Sequence, residues 1–138
     1  MPVKQVICMR KDLNMRRGKE MAQASHASMG VFFDMFKKKQ QPSTDSPIVY
    51  EMELPPGDIG IGMSSWIEGI FKKIVCAVNS EEELLNIHKA AMEKGLPCKL
   101  IQDCGLTEFK GVPTYTCCAI GPAKSTLVDE VTKDLKLL

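Results

Sequence analysis

Short apolar runs alternate along the chain with longer segments of helical periodicity. The apolar runs are rich in β-branched side chains and predict four strands, at residues 3–9, 70–78, 99–102 and 114–120. The periodic segments predict three helices, at residues 18–39, 80–94 and 125–135. This alternation favours an α/β domain in layers around a mixed sheet, whose last two strands are antiparallel or loosely connected.

Local signals mark where several of these elements start and stop. Ser80 followed by Glu83 matches a capping box, in which each side chain binds the backbone N–H of the other residue. Gly95 supplies the residue type at which a helix commonly ends. Gly121-Pro122 should likewise end the fourth strand.

Residues 40–65 depart from this alternation. The segment is rich in proline, serine and acidic side chains, and residues 48–54 partly alternate, which predicts an edge strand or half of a hairpin. Gly57, Gly60 and Gly62 lack the spacing of a dinucleotide-binding fingerprint, and no helical pattern follows them. We therefore predict a loop at these glycines.

Length and composition limit the classes of protein to which the chain can belong. Its 138 residues fit one domain, and 44% hydrophobic with 25% charged residues is typical of globular proteins. No apolar run reaches the roughly 18 residues that would span a membrane, and the first residues do not resemble a signal peptide. We therefore expect a cytoplasmic protein without a membrane partner.

Charge is distributed unevenly, although the net charge is only +1. Residues 1–39 hold nine basic and three acidic side chains, whereas residues 40–71 hold five acidic and no basic ones. A basic first third suggests a polyanion partner on one face. The alternative, a solvated lysine-rich helix end, accounts for the lysines at 37–39 better than for the five basic residues at positions 10–19.

Six cysteines raise the question of disulfides or a metal site. None stands in a Cys-x-x-Cys pair, and most lie in apolar strand-like runs, where free cysteine behaves as a small hydrophobe. We therefore expect no metal and no cofactor. Cys104 is the only cysteine in a setting that could suit a nucleophile, and the chain has no Gly-x-Ser-x-Gly motif.

Three groups of polar residues could carry chemistry. Lys19, Gln23 and His26 share one face of the first helix, unless they are only a solvent-facing stripe. Asp103 and Thr107 follow a strand, where ligands collect in α/β sheets, although Asp103 could instead bind the backbone two residues on.

The third group lies on the fourth predicted strand. Thr114 and Thr116 should point to the same side of the sheet, and either hydroxyl could bind a substrate or satisfy the strand edge. His88, the second of two histidines, is expected to be a surface residue of a helix.

Several longer motifs stand in a fixed order along the chain. They are KDL at 11–13, RGK at 17–19, QASHAS at 23–28, KKIV at 72–75, LIQDCGLTEF at 100–109, GVPTYT at 111–116 and AIGP at 119–122. Together they resemble the type-two, archaeal- and eukaryotic-type family of peptidyl-tRNA hydrolases over roughly residues 3–36 and 66–138. Long ungapped motifs in this order are far more specific than any of the short patterns above.

The resemblance implies a three-layer α/β/α sandwich around a small mixed four-stranded sheet, often found as a homodimer. It implies one domain over residues 1–138, which hydrolyses the ester bond of peptidyl-tRNA by attack of water without a metal. Residues 37–65 depart from the family as a longer, more acidic insert that could bind a protein partner. Two rival functions on this fold are a non-catalytic RNA-binding module, which would lack Lys19 or Asp103, and an interaction adaptor.

The resemblance also implies a role for each site residue. Asp103 would orient or deprotonate water, and Lys19 would place positive charge near the oxyanion or the terminal phosphate. Thr107 and Thr116 would donate hydroxyl hydrogen bonds, and His26 would support Lys19 or the substrate. Whether Asp103 or His26 is the base stays open. The expected substrate-binding residues are Arg10, Lys11, Arg16, Arg17, Gln23 and Thr114.

Overall fold

A computed structural model describes residues 1–106 and 108–138 of the chain. Its strands are β1 (Val3–Arg10), β2 (Phe36–Lys38), β3 (Tyr50–Met52), β4 (Lys73–Val78), β5 (Cys98–Asp103) and β6 (Thr114–Lys124). Its helices are α1 (Arg17–Phe33), α2 (Gly57–Glu68), α3 (Glu81–Glu93) and α4 (Ser125–Thr132). None of the helices in the described residues is long and apolar enough to cross a bilayer.

Four strands form a mixed sheet in the order β4-β1-β6-β5. β1 and β4 are parallel, whereas β6 is antiparallel to both β1 and β5. Of the two alternatives given for the last two strands, antiparallel or loosely connected, the first is therefore confirmed. This topology also brings the carboxyl ends of β1, β4 and β5 to the same edge of the sheet.

The sheet separates two apolar cores, because successive side chains of a strand face opposite sides. On one side Ile7 of β1 packs in a cluster with Val31 of α1 and Met63 of α2. On the other side Val6 of β1 packs with Leu84 of α3 and with residues of α4. The predicted three-layer α/β/α sandwich is thus confirmed.

Helix α2 corrects the loop predicted around Gly57, Gly60 and Gly62. Gly60 and Gly62 are buried where the backbone approaches its neighbours closely. A Cβ on Gly60 would lie 1.7 Å from the carbonyl oxygen of Pro55, and one on Gly62 would lie 3.2 Å from the backbone nitrogen of Lys124. These glycines permit close packing within a helix and do not mark an irregular segment.

The predicted half-hairpin exists, and several predicted boundaries shift. β3 pairs antiparallel with β2, so the two form a separate two-stranded sheet. α1 ends at Phe33 and not near residue 39, and β4 begins at Lys73, so Ile70 lies outside it and is exposed. β6 continues through Gly121-Pro122 to Lys124. The prediction that this dipeptide ends the strand is therefore wrong.

The N-cap half of the capping box predicted at the start of α3 is confirmed. The Ser80 hydroxyl oxygen accepts the N–H of Glu83 at 3.0 Å. The Glu83 carboxylate does not return to the cap residue itself but accepts the N–H of Asn79 at 3.0 Å. The helix ends as predicted at Gly95, whose φ of +69° lies in the left-handed region that favours glycine.

Candidate active site

The carboxylate of Asp103, at the end of β5, lies against the first turns of α1. Lys19 Nζ donates a hydrogen bond to its Oδ1 at 2.8 Å, and Gln23 Nε2 donates to the same oxygen at 3.4 Å. The N–H of Gly105 donates to Oδ2 at 2.8 Å. The turn contact that the sequence offered for Asp103 is therefore present, since Oδ2 binds the backbone N–H two residues on, whereas its role in binding a ligand stays a prediction.

This environment favours the charged form of Asp103. The hydrogen bond from Lys19 is the main cause that lowers the pKa of Asp103, and the Gly105 N–H and the Gln23 amide act in the same direction, whereas burial opposes them. The side chains of Lys19 and Asp103 are only 13% and 11% exposed. The two residues thus form an ion pair that is largely covered by protein.

Behind this pair, Gln23 and Thr116 are buried between α1 and β6. The Thr116 hydroxyl donates to Gln23 Oε1 at 2.5 Å. Because the oxygen of the Gln23 amide is occupied in this way, its nitrogen faces Asp103. Thr116 therefore satisfies an internal partner, and its hydroxyl acts on Asp103 through Gln23.

Glu108 and Phe109 attach this part of the chain to the start of α1. The carboxylate of Glu108 accepts the backbone N–H of Arg16 at 3.4 Å, and Arg16 Nε lies 3.9 Å from its second oxygen. The ring of Phe109 lies 5.7 Å from Lys19 Nζ, within the range of a cation–π contact. Sequence reasoning missed both residues, although they stand in the same motif as Asp103. Thr107 itself lies outside the described residues.

His26 and Thr114 lie near this cluster without joining it. His26 is exposed on α1, one turn beyond Gln23, and forms no hydrogen bond or ion pair within the described residues. Thr114 is the strand partner of Asp103, but its hydroxyl donates to the carbonyl oxygen of Val112 at 2.8 Å. The structure therefore brings together four of the predicted site residues, namely Lys19, Gln23, Asp103 and Thr116.

The predicted basic residues fall into two kinds. Arg10 donates to both carboxylate oxygens of Asp12, at 3.1 and 2.7 Å, and to the carbonyl oxygen of Tyr115 at 3.0 Å, so its guanidinium fixes the turn after β1. This contact lowers the pKa of Asp12. The other three, Lys11, Arg16 and Arg17, are exposed at the same edge of the sheet.

Comparison with known proteins decides the family. The family model for the peptidyl-tRNA hydrolase PTH2 matches residues 3–138. The chain belongs to the PTH2 family. It is 38% identical over 135 residues to a peptidyl-tRNA hydrolase of Methanopyrus kandleri, with 98% of this chain and 97% of that protein covered. It is 37% identical to one of Methanocaldococcus jannaschii, with 99% and 100% covered.

The fold also recurs in a solved structure of a protein of unknown function from Agrobacterium strain C58. The TM-score is 0.54 at 13% identity, and the match covers 100% of this chain and 98% of the other. This likeness concerns the fold alone. The family membership confirms the resemblance that the sequence motifs indicated. The roles of the individual site residues in this PTH2 chain stay predictions.

The cysteines and His88 are further titratable groups of the chain, and Cys117 Sγ donates to the backbone carbonyl oxygen of Gln23 at 3.3 Å. In the described part of this PTH2 chain, no three His, Cys, Asp or Glu side chains are grouped so that they could hold a metal ion. Burial raises the pKa of Cys117 to about 12, and Cys104 is an exposed free cysteine. His88 is half-buried on α3, in the layer on the other side of the sheet, and burial lowers its pKa.

Proposed function

We propose that the protein hydrolyses the ester bond of peptidyl-tRNA, releasing free tRNA and a peptide or N-substituted amino acid. The observation that carries the proposal is the covered Lys19–Asp103 ion pair, which Gln23 and Thr116 support from behind. It stands at the sheet edge where the basic start of α1 also lies. Membership in the PTH2 family and the names of the relatives support the same reaction.

We assign to Asp103 the orientation of the attacking water. A general base works best when its pKa lies near the pH of the reaction, and Lys19 instead lowers the pKa of Asp103. A carboxylate of this kind accepts a hydrogen bond from water but takes up a proton poorly. His26 is then the candidate for the general base, since it lies on the same face of α1 as Lys19.

Lys19 supplies positive charge for the transition state. When water attacks the ester carbonyl, negative charge develops on the carbonyl oxygen, and a fixed cation in a covered site stabilises that charge. Phe109 and Asp103 contact the Lys19 ammonium and hold it in place. The reaction in this proposal uses side chains and water and no metal.

A turnover assay tests the proposal directly. We expect the protein to hydrolyse N-acetyl-aminoacyl-tRNA faster than free aminoacyl-tRNA, and to keep its activity after exhaustive chelation. Asp103→Asn and Lys19→Ala should each lower turnover by on the order of a hundredfold. His88→Ala is the control, because His88 lies on the other side of the sheet, and near-normal turnover in Asp103→Asn would contradict the assignment.

The proposal extends to the setting in which the protein acts. We propose one domain over residues 1–138 that is cytoplasmic and homodimeric, with residues 37–65 as an added segment. Phe33 at the end of α1, together with Phe36 and Tyr50 of the β2–β3 hairpin, forms an exposed group of aromatic rings, which suits a protein partner. Sedimentation of the protein, with and without residues 40–49, tests the dimer and the role of the hairpin.

A further inference from the structure

The outward side of α1 carries few charged side chains, although the helix lies on the surface. The sequence contains no Asp, Glu, Lys or Arg between Glu20 and Asp34. Met21 and Met29 are 61% and 52% exposed on this side of the helix. A surface helix normally carries charged side chains on its solvent face, so this helix face has the character of a binding surface.

An open trough runs beside this helix face, between α1 and the edge strand β4. Two adjoining cavities of about 240 and 280 Å³ form it, and both are lined by Ala24 and Val75. Met21 lines the first cavity, and Met29 and Ile7 line the second. Apart from Arg17 and Glu20 in the first cavity, and Lys73 and two serines in the second, the lining is apolar, so the trough suits mainly uncharged side chains.

One end of the trough, lined by Arg17 and Glu20, is level with Lys19 along α1 but lies on the opposite side of the helix from the Asp103 cluster. Successive residues of an α-helix are rotated by about 100° around its axis. Gly18 and Ala22 therefore lie on the helix surface between Lys19 and Met21. Both small residues are exposed, and a Cβ on Gly18 would meet nothing within 4 Å. A chain held at Lys19 could therefore cross α1 over these small residues within about four or five extended residues.

We infer that the trough binds the peptide part of peptidyl-tRNA, an inference that rests on the proposed function. Peptides released from tRNA differ in sequence, so a site for them must accept many side chains. Methionine is flexible and polarizable and adapts to varied apolar shapes. The two cavities, lined by Met21 and Met29, therefore contact the peptide residues beyond those that cross α1, without selecting one sequence.

Kinetics with two substrates test this inference. One substrate is N-acetyl-aminoacyl-tRNA, and the other carries an apolar hexapeptide on the same tRNA. Met29→Lys should raise the KM for the hexapeptide substrate by about tenfold relative to the KM for the short one, because it places a charge among apolar side chains. Met92→Lys is the matched control, since Met92 is 54% exposed on α3. An unchanged KM ratio in Met29→Lys would overturn the inference.

Methionine methyl spectra separate this inference from the proposed function. The ligand is the hexapeptide joined to adenosine by an amide that cannot be hydrolysed as an ester, and acetyl-aminoacyl-adenosine in amide form is the comparison. The methyl signals of Met21 and Met29 should shift with the first ligand only, and that of Met92 with neither. If these signals shift but the protein hydrolyses neither tRNA substrate, the trough binds the peptide and the proposed reaction is wrong. Methyl signals that do not shift with the first ligand would overturn the inference. Signals that change with protein concentration alone would also overturn it, because a second copy of the protein would then cover the trough.

Discussion

At the scale of single residues, Gln23 connects the sheet to the carboxylate of Asp103. Its amide oxygen accepts the Thr116 hydroxyl, and its amide nitrogen donates to Asp103. A buried amide with both ends occupied has one orientation, whereas an amide with one end free can rotate. Thr116 therefore determines which end of Gln23 faces the carboxylate.

Thr116→Val tests this role. The variant leaves the oxygen of Gln23 buried without a donor, which should lower the free energy of unfolding by about 1–3 kcal/mol. We also expect kcat to fall with little change in KM, because Thr116 is fully buried and does not touch the substrate. Urea unfolding measures the stability, and steady-state kinetics measure kcat and KM. Thr116→Ser keeps the hydroxyl and should therefore retain the stability and the kcat of the wild type. A valine variant with normal stability and normal kcat would exclude the role.

The ionisation of Asp103 gives a second prediction. Because Lys19 is the main cause of its lowered pKa, Lys19→Met should raise the pKa of Asp103, and Gln23→Leu should raise it less. A pKa lowered by folding stabilises the fold above the ordinary value of about 3.9, and this stabilisation is lost as the pH falls below that value. Titration of the Asp103 carboxyl carbon by NMR measures the pKa directly. An unchanged pKa in Lys19→Met would contradict the ion pair.

The sequence placed Lys19, Gln23 and Asp103 in the site, but it could not show how they meet. Lys19 and Asp103 are separated by 84 residues, and only the fold brings them together. Thr116 shows a second limit of sequence patterns. The pairing of β5 with β6 shifts register, so that Ile101 faces Cys117 while Gln102 faces Tyr115. Such an irregularity redirects a side chain, and simple strand alternation does not reveal it.

At the scale of elements, α2 and α3 form for different reasons. α3 is encoded locally, since its capping box and terminal glycine are visible in the sequence. α2 contains three glycines, which weaken a helix, and tertiary contacts stabilise it. Its Trp66 stacks on Phe32 at 5.6 Å and donates to the carbonyl oxygen of Lys72 at 2.8 Å. Local pattern therefore predicted α3 and missed α2.

The glycines of α1 and α2 give a matched pair of substitutions. Gly60→Ala should destabilise the protein, because the new Cβ would lie 1.7 Å from the backbone oxygen of Pro55 and the backbone must move. Gly18→Ala should leave stability unchanged or raise it by up to about 1 kcal/mol, because nothing lies within 4 Å of its new Cβ and alanine favours a helix. Thermal and urea unfolding compare the two. Equal stability of both variants would mean that α2 does not pack as described.

At the scale of the whole molecule, the basic residues of the first third other than Lys4, which pairs with Asp129, divide into two groups. One group lies at the start of α1 beside Asp103, whereas the lysines at 37–39 follow the far end of α1, about 25 Å away along its axis. Lys39 lies 3.9 Å from a carboxylate oxygen of Glu51 on the hairpin. A charge count along the sequence could not separate the two groups, because the separation depends on where α1 ends.

Only the first group should hold tRNA. Arg16 is 90% exposed and has a single long ion pair with Glu108, which stabilises little in water, and Arg17 is also exposed. If both bind phosphates, each bound phosphate releases condensed counterions, so binding should weaken steeply as salt increases. The double variant Arg16→Ala and Arg17→Ala should raise KM and flatten the slope of log binding constant against log salt by about one unit for each phosphate that it no longer binds.

The matched control is the double variant Lys37→Ala and Lys38→Ala, which removes the same charge from the other end of α1. We expect its salt slope to equal that of the wild type, because phosphates held at the active-site edge do not reach these lysines. The kcat of the arginine variant should change much less than its KM, since phosphate contacts position the substrate and do not stabilise the transition state. Salt titrations of tRNA binding measure both slopes. A flatter slope in the lysine variant, with an unchanged slope in the arginine variant, would place the tRNA across the hairpin.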